Sequence, residues 1–413
     1  MQRLEAAVIH MHKNLIDLEF LYPKEIDIEV FAKNSSFEPF SDDVVNYLDS
    51  LSKELNKDPN LRIYPDVATF GFFCRRANII SLKKKQPSYD ILRLGRGLVF
   101  HVAPSNVAVN FAYSLVSGLL AGNINIVRVP SKNFEQIRII CDAIQRLSKI
   151  NEHKFIASRI ALVRYDRTSS ATAYLSSICD VRVIWGGDET IAQIRRNKIP
   201  ARSFDITFAD RYSLCVINAD EYISEESPNK IAQGFYNDTY LFDQNACTAP
   251  HLLIWLGRKK NINKAKDKFW NSLYDFAKQK YSVQPVIAVD KLTSFYNQSV
   301  HMDQVKKIAT PDNLIWRVEL KELLKNIDSY RCNSGYFSEY NAASLSEINK
   351  IVDSKYQTLA YYGISAEELN NFMMLEKPKG IDRIVPIGKT SDFSLNWDGI
   401  DLIKTLSRVI EVK

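Results

Sequence analysis

No two of the six cysteines form a C-x-x-C pair or fall at regular spacing, and no secretory leader is evident at the N-terminus. A disulfide scaffold is therefore excluded, and a reducing cytoplasm is the expected compartment. No apolar run approaches the roughly 20 residues that an α-helix needs to cross a bilayer, so no membrane span is expected. The six histidines and the cysteines show no ligand spacing, which argues against a metal site. No stripe of basic and aromatic residues is present, and the single basic cluster, "SLKKKQPSYD", reads as a loop. Nucleic acid is not an expected partner. The net charge of +6 suits a polyanionic cofactor but is equally an ordinary solvated surface. There is no G-x-G-x-x-G turn, no internal repeat and no low-complexity tract.

What remains is a chain of 413 residues, nearly half of them hydrophobic, long enough for two domains. The opening "RLEAAVIHMHKNLIDLEFLYP" and "SDDVVNYLDSLSKELNK" carry apolar residues at helical spacing, which predicts surface helices before the regular part begins. From Leu98 the pattern alternates. "LVFHVA" (98–103) reads as a buried strand, "NVAVNFAYSLVSGLLA" (106–121) as an apolar helix ended by Gly122 and Asn123, and "INIVRVP" (124–130) as the next strand. "RIALVRY", "VRVIW" and "FDITFA" continue the series with helices between them. Such alternation predicts an α/β fold with a parallel sheet covered on both faces and ligands at the carboxyl ends of its strands. A second α/β section follows a soft boundary near Ser213, with strands in "LCVINAD" and "HLLIWLG" and the helices "SPNKIAQGFYNDTYLF" and "NINKAKDKFWNSLYDFAKQKY".

Cys74, Cys141, Cys179 and Cys215 sit in apolar or helical patterns and read as core, and Cys332 lies in a polar segment without a pattern of its own. Cys247 is different. It falls in the polar turn "FDQNACTAP", after a helix and before a strand, where an accessible thiol can act as a nucleophile. Asn106 reads either as a helix N-cap or as an amide donor aimed at an oxyanion. Asp243 and Gln244 either orient the cysteine loop or cap the preceding helix. His251 begins a strand and is not expected to be catalytic, and His101 reads as a hydrogen-bonded core histidine. Asp382 and Arg383 read as a structural ion pair.

The order strand, "PSN", helix, "AGN", strand, Arg128, then "WGG" and the cysteine turn resembles the aldehyde dehydrogenase superfamily. With "FDQNACTAP", "YQTLAYYG" (356–363), "GIDRIVPIGK" (380–389) and "WDG" (397–399), the chain is similar to the acyl-CoA reductases of the bacterial bioluminescence type, the LuxC family. The resemblance implies a Rossmann-type cofactor domain (1–213), a second α/β catalytic domain (214–384) and a tail (385–413) that returns to the first. It implies Cys247 as nucleophile and Asn106 as the oxyanion-hole amide. The cofactor would lie on Ala103, Pro104 and Ser105, on Arg128 and Ser131 near the adenosine ribose, and on the Gly186–Gly187 turn. Phe208 stands where oxidising members carry a glutamate base, so water attack on a thioester should be slow. Ser131, with Arg128 and Lys132 close by, stands where NAD-preferring members often have glutamate, which favours NADPH over NADH. The implied reaction is reduction of an acyl-CoA or other acyl thioester to an aldehyde. A homo-oligomer and an acyl-activating protein partner are implied too. Another activated acyl substrate, such as an acyl phosphate, or a catalytically silent assembly subunit, are the alternatives.

Overall fold

In the computed structural model, residues 18–86, 92–105 and 107–413 are described. They form two compact units, one running to Ala209 and including Ile400–Lys413, the other spanning Asp210–Gly399.

The first unit is built on β1 (Glu19–Tyr22), α1 (Asp42–Leu55), β2 (Leu92–Gly95), β3 (Leu98–Val102), α2 (Asn110–Leu120), β4 (Ile124–Arg128), α3 (Glu135–Leu147), β5 (Ile160–Arg164), α4 (Ala171–Ile178), β6 (Val181–Trp185), α5 (Asp188–Arg195) and β7 (Phe204–Phe208). Its sheet runs β1-β5-β4-β3-β6-β7, parallel throughout except for β1. All five residues of β3 are buried, as expected of a central strand with both faces covered. The strand β1 corrects the helical reading of the opening segment, whose residues 1–17 lie outside the described residues. Glu19–Tyr22 instead pairs antiparallel with the open edge of β5, where Leu18 and Phe20 reach the unit's core.

The helix expected over 106–121 also starts late. It begins at Asn110 with Val109 at the cap position, so the N-cap reading of residue 106 fails. Ala108 and Val109 are buried before the helix starts, which made the apolar pattern run on through the turn. The far end is as read. Gly122 has φ of +88°, and a Cβ there would meet the Phe37 carbonyl oxygen at 2.0 Å. The C-terminal strand Ser407–Ile410 lies antiparallel to β2.

The second unit comprises β8 (Tyr212–Asn218), α6 (Pro228–Thr239), β9 (Pro250–Leu256), α7 (Lys259–Ala277), α8 (Pro285–His301), β10 (Lys306–Ile308), β11 (Trp316–Glu319), β12 (Tyr336–Asn341), β13 (Tyr356–Tyr362) and β14 (Arg383–Pro386). Its sheet order is β10-β11-β12-β9-β8-β13-β14, with only β10 antiparallel. Leu214 and Val216 of β8 enter one apolar cluster, and Cys215 and Ile217 the other. That period of two fills both faces and explains the unbroken apolar runs of these strands.

Candidate active site

All seven residues read as cofactor-binding line one cavity of about 290 Å³ in the first unit. Ala103, Pro104 and Ser105 follow β3, Arg128 closes β4 with Ser131 just beyond it, and Gly186 and Gly187 follow β6. Chain order explains the location. The strands after β3 build outward through β4 and β5, then β6 and β7 are added on its other side, and the cavity opens at that switch point.

Arg128 is the most informative lining residue. Its guanidinium lies 4.7 Å over the Tyr165 ring and donates to the Tyr165 carbonyl at 3.2 Å, yet its Nε is buried with no partner among the described residues. A buried guanidinium with an unpaired N–H in a residue lining a cavity suits an anionic or hydroxylated ligand. Burial foremost, and the nearby charge of Arg167, lower the Arg128 pKa. Arg167 itself also lines the cavity, beside the Asp166 carboxylate whose pKa its charge helps to lower. Sequence reasoning passed over it, because an arginine in a loop after a strand looks like solvated surface. Among the described residues no atom lies within 4 Å of where a Cβ of Gly187 would stand, and its φ of −65° suits any residue. Its glycine keeps the cavity open rather than satisfying the backbone. The helix α5 that follows carries Asp188 and Glu189 in its first turn. These acids use the terminal dipole themselves, so the positive charge facing the cavity comes from Arg128 and Arg167. Trp185 and Thr190 complete the lining, and Trp185 stacks on Phe208 with ring centroids 3.8 Å apart.

In the second unit, Cys247 is the only one of the six cysteines that is not buried. Its turn is over-determined. Asp243 and Gln244 both adopt positive φ, 51° and 59°, a conformation costing a non-glycine residue roughly 1 kcal/mol or more. The Gln244 side chain offsets this cost. Its Oε1 accepts from the Gly335 and Tyr336 N–H groups at 2.9 and 3.1 Å, and its Nε2 donates to the Pro250 and Tyr336 carbonyls at 2.9 and 3.1 Å. One buried amide thus ties the loop to the starts of β9 and β12. Asp243 accepts from the Tyr281 hydroxyl at 2.6 Å and also caps the short helical turn Tyr240–Phe242, its N–H donating to the Tyr240 carbonyl at 3.1 Å, so it serves both the loop and the cap. The Cys247 carbonyl accepts from Ser213 Oγ at 2.6 Å, and Ser213 Oγ accepts from Thr358 N–H at 3.2 Å, which fixes the cysteine against β8 and β13.

Burial raises the Cys247 thiol pKa above its usual value, and the carboxylates of Asp210 and Asp398 add to this. The Arg211 backbone N–H, bonded to the sulfur, opposes it. In the free protein, alkylation of Cys247 by iodoacetamide, followed by peptide mass, should therefore accelerate about tenfold per pH unit from pH 7 through 9. A plateau below pH 8 would show the opposite environment.

His251 does not supply the missing base. It is the extra residue where the β8–β9 register slips, and its buried ring stacks on Tyr212 at 5.7 Å. Burial, then the Arg331 charge, hold its pKa down at about 3, too low to take a proton from a thiol. His101 is a hydrogen-bonded core residue, as read. Asp382 and Arg383 do not pair with each other. Each has other partners: Asp382 binds Arg211, and Arg383 donates to the carbonyls of Lys389, Thr390 and Asp392. The "GIDRIVPIGK" segment is seated on α6, where buried Asp238 accepts the Gly388 and Thr390 N–H groups at 2.6 and 3.0 Å. Asn106 lies outside the described residues. Among the described residues no cluster of three or more His, Cys, Asp or Glu side chains is placed to hold a metal, and no helix is long and apolar enough to cross a membrane.

A parallel-sheet unit with a cavity at its switch point, and a second one presenting a cysteine from a pinned turn, have the aldehyde dehydrogenase fold. Aldehyde dehydrogenase 21 from Physcomitrella patens, in complex with the reaction product succinate, superposes with a TM-score of 0.65 at 10% identity, covering 92% of this chain and 87% of that one. For an NAD-dependent benzaldehyde dehydrogenase from Corynebacterium glutamicum the values are 0.59, 11%, 92% and 86%. For Proline Utilization A from Corynebacterium freiburgense they are 0.66, 12%, 94% and 43%, so this chain spans less than half of that protein. At these identities the likeness is one of fold. No curated protein matches at the level of sequence. The family profile described as acyl-CoA reductase (LuxC) matches residues 39–409, and the chain belongs to this LuxC family of oxidoreductases.

Proposed function

We propose that the protein is a nicotinamide-dependent acyl-CoA reductase that forms an acyl-enzyme on Cys247 and releases an aldehyde. The observation that carries this reading is the pinned, partly exposed Cys247 turn in a chain of the LuxC family. The Cys247 thiolate attacks the thioester carbonyl and the carrier leaves as a thiolate. Sulfur replaces sulfur, so the exchange is nearly thermoneutral and the acyl group stays activated. The dihydronicotinamide supplies the hydride. The resulting thiohemiacetal oxyanion is stabilised by the Cys247 N–H and, by family resemblance, by the Asn106 amide, each donor contributing about 3 to 4 kcal/mol. Collapse regenerates the Cys247 thiolate and frees the aldehyde. By family resemblance, Phe208 stands at the sequence position where oxidising relatives carry a glutamate base, and the lack of that base suits an enzyme that must not hydrolyse its intermediate.

The cavity chemistry supports NADPH in preference to NADH. Arg128 and Arg167 bring two guanidinium groups to one cavity, and Ser131 adds a hydroxyl without adding a carboxylate. A ribose 2′-phosphate would neutralise them, whereas a free hydroxyl would not. Replacing Arg167 with Ala should raise KM for NADPH about tenfold and leave KM for NADH within about twofold. Equal changes for both cofactors would remove the phosphate from this end of the cavity. A homo-oligomer, and delivery of the acyl group by an activating protein partner, belong to the same reading.

The reaction is tested by incubating the protein with a long-chain acyl-CoA and NADPH and measuring NADPH, free thiol and aldehyde together. One-to-one-to-one stoichiometry supports the reading. Release of free acid without NADPH consumption would contradict it, and turnover confined to acyl phosphates would move the substrate class.

A further inference from the structure

Trp185 forms part of the cavity wall, and its ring is held on two sides. One face stacks on Phe208 at an interplanar angle of 22°, and the indole N–H donates to Ser114 Oγ on α2 at 3.0 Å. Ser114 is itself the middle of a longer chain. The Asn125 amide nitrogen donates to the Asn123 carbonyl at 2.8 Å, which turns its Oδ1 as an acceptor toward His101 Nε2 at 3.0 Å. His101 therefore carries its proton on Nε2. Its Nδ1 is left as an acceptor for the Ser114 hydroxyl at 2.7 Å, and the hydroxyl oxygen is free to accept the indole N–H.

Only one direction of donors satisfies every member. All four side chains are buried, and burial holds the His101 imidazole down at about 4, so the neutral tautomer persists at any working pH. The helix backbone comes close enough that a Cβ at Gly118 would stand 1.8 Å from Asn125 Oδ1 and 3.1 Å from His101 Nε2. Glycine at 118 is what lets α2 sit on the chain. A core that needed only stability would place apolar residues here, since a fully satisfied polar chain adds little net stability over an apolar packing of the same shape. What it adds is a fixed orientation for its last member.

We propose that Asn125, His101 and Ser114 form a clamp that sets the Trp185 indole as a rigid wall of the dinucleotide cavity, which makes His101 and Ser114 positioning residues for cofactor binding. The inference rests on the reading of this cavity as the nicotinamide-dinucleotide site. A wall already held in place loses no side-chain freedom when a ligand binds against it.

The test is calorimetric titration of the whole protein with NADPH, without acyl substrate, in a double-mutant cycle of Ser114→Ala and Trp185→Phe. Thermal melts establish that each variant is folded. Ser114→Ala should weaken NADPH binding about fivefold, the loss of one hydrogen bond. In the Trp185→Phe background, where no indole N–H remains to be held, it should have no further effect. Equal weakening in both backgrounds would reduce Ser114 to general packing, and wild-type affinity in Ser114→Ala would remove the clamp while leaving the cofactor site in place. If the wild-type protein binds neither NADPH nor NADH, the cofactor reading and the clamp both fall.

Discussion

Replacing Cys247 with Ala should lower acyl-CoA-dependent NADPH turnover by at least about 10⁴-fold while leaving the melting temperature nearly unchanged. The size follows from the chemistry: without the thiol there is no covalent intermediate, and no other cysteine is accessible to substitute, since the remaining five are buried. The small stability effect follows from the turn. Its anchors are the Cys247 carbonyl on Ser213 and the Gln244 amide on β9 and β12, none of which needs the sulfur. NADPH affinity should also hold, because every residue lining the cavity is elsewhere. Turnover within tenfold of wild type would move the nucleophile to another residue.

The second large effect is expected at a residue that touches no substrate. Gln244→Leu keeps the bulk of the side chain but strands two backbone N–H groups and two carbonyl acceptor sites in a buried environment. Unsatisfied groups of this kind cost roughly 1 to 3 kcal/mol each before relaxation and water entry, so a net loss of about 3 to 5 kcal/mol is expected. The two consecutive positive-φ residues would lose their support, and the turn would relax away from its observed shape. Denaturant unfolding should show the stability loss, and turnover measured well below the new midpoint should fall about a hundredfold further than the folded fraction explains. A variant that is destabilised but fully active per folded molecule would make Gln244 a packing residue only.

The contrast between these two positions shows how far the sequence could be read. Cys247 stood out because one thiol lay in a polar turn while others lay in apolar patterns, a difference visible in composition alone. Gln244 did not, because the same side chain in the same place serves equally as a local cap or as a long-range tie. Its partners at Gly335 and Tyr336 lie about 90 residues away, in a segment with no pattern of its own. The strands β3, β4 and β6 were legible as apolar runs because both faces of each are covered. β1 was not, since its four residues follow an amphipathic stretch and take their strand form from the open edge of β5. The start of α2 was misread because burial continues through the turn before it. The cavity residues could be named in advance because they fall at strand ends, where chain order places ligands. Arg167 could not, as nothing local distinguishes a cavity-lining arginine from a solvated one. The role of His101 was beyond reach for a similar reason: Ser114 and Asn125 reach it only through packing.

The most direct measurement is the intact mass of the protein after incubation with a long-chain acyl-CoA, first without and then with NADPH, beside the Cys247→Ala variant. The account predicts a gain of one acyl group on the wild-type chain, stable without reductant, discharged as aldehyde on addition of NADPH, and absent from the variant. An acyl adduct that persists in Cys247→Ala, or one that leaves as free acid at the same rate with and without NADPH, would contradict it.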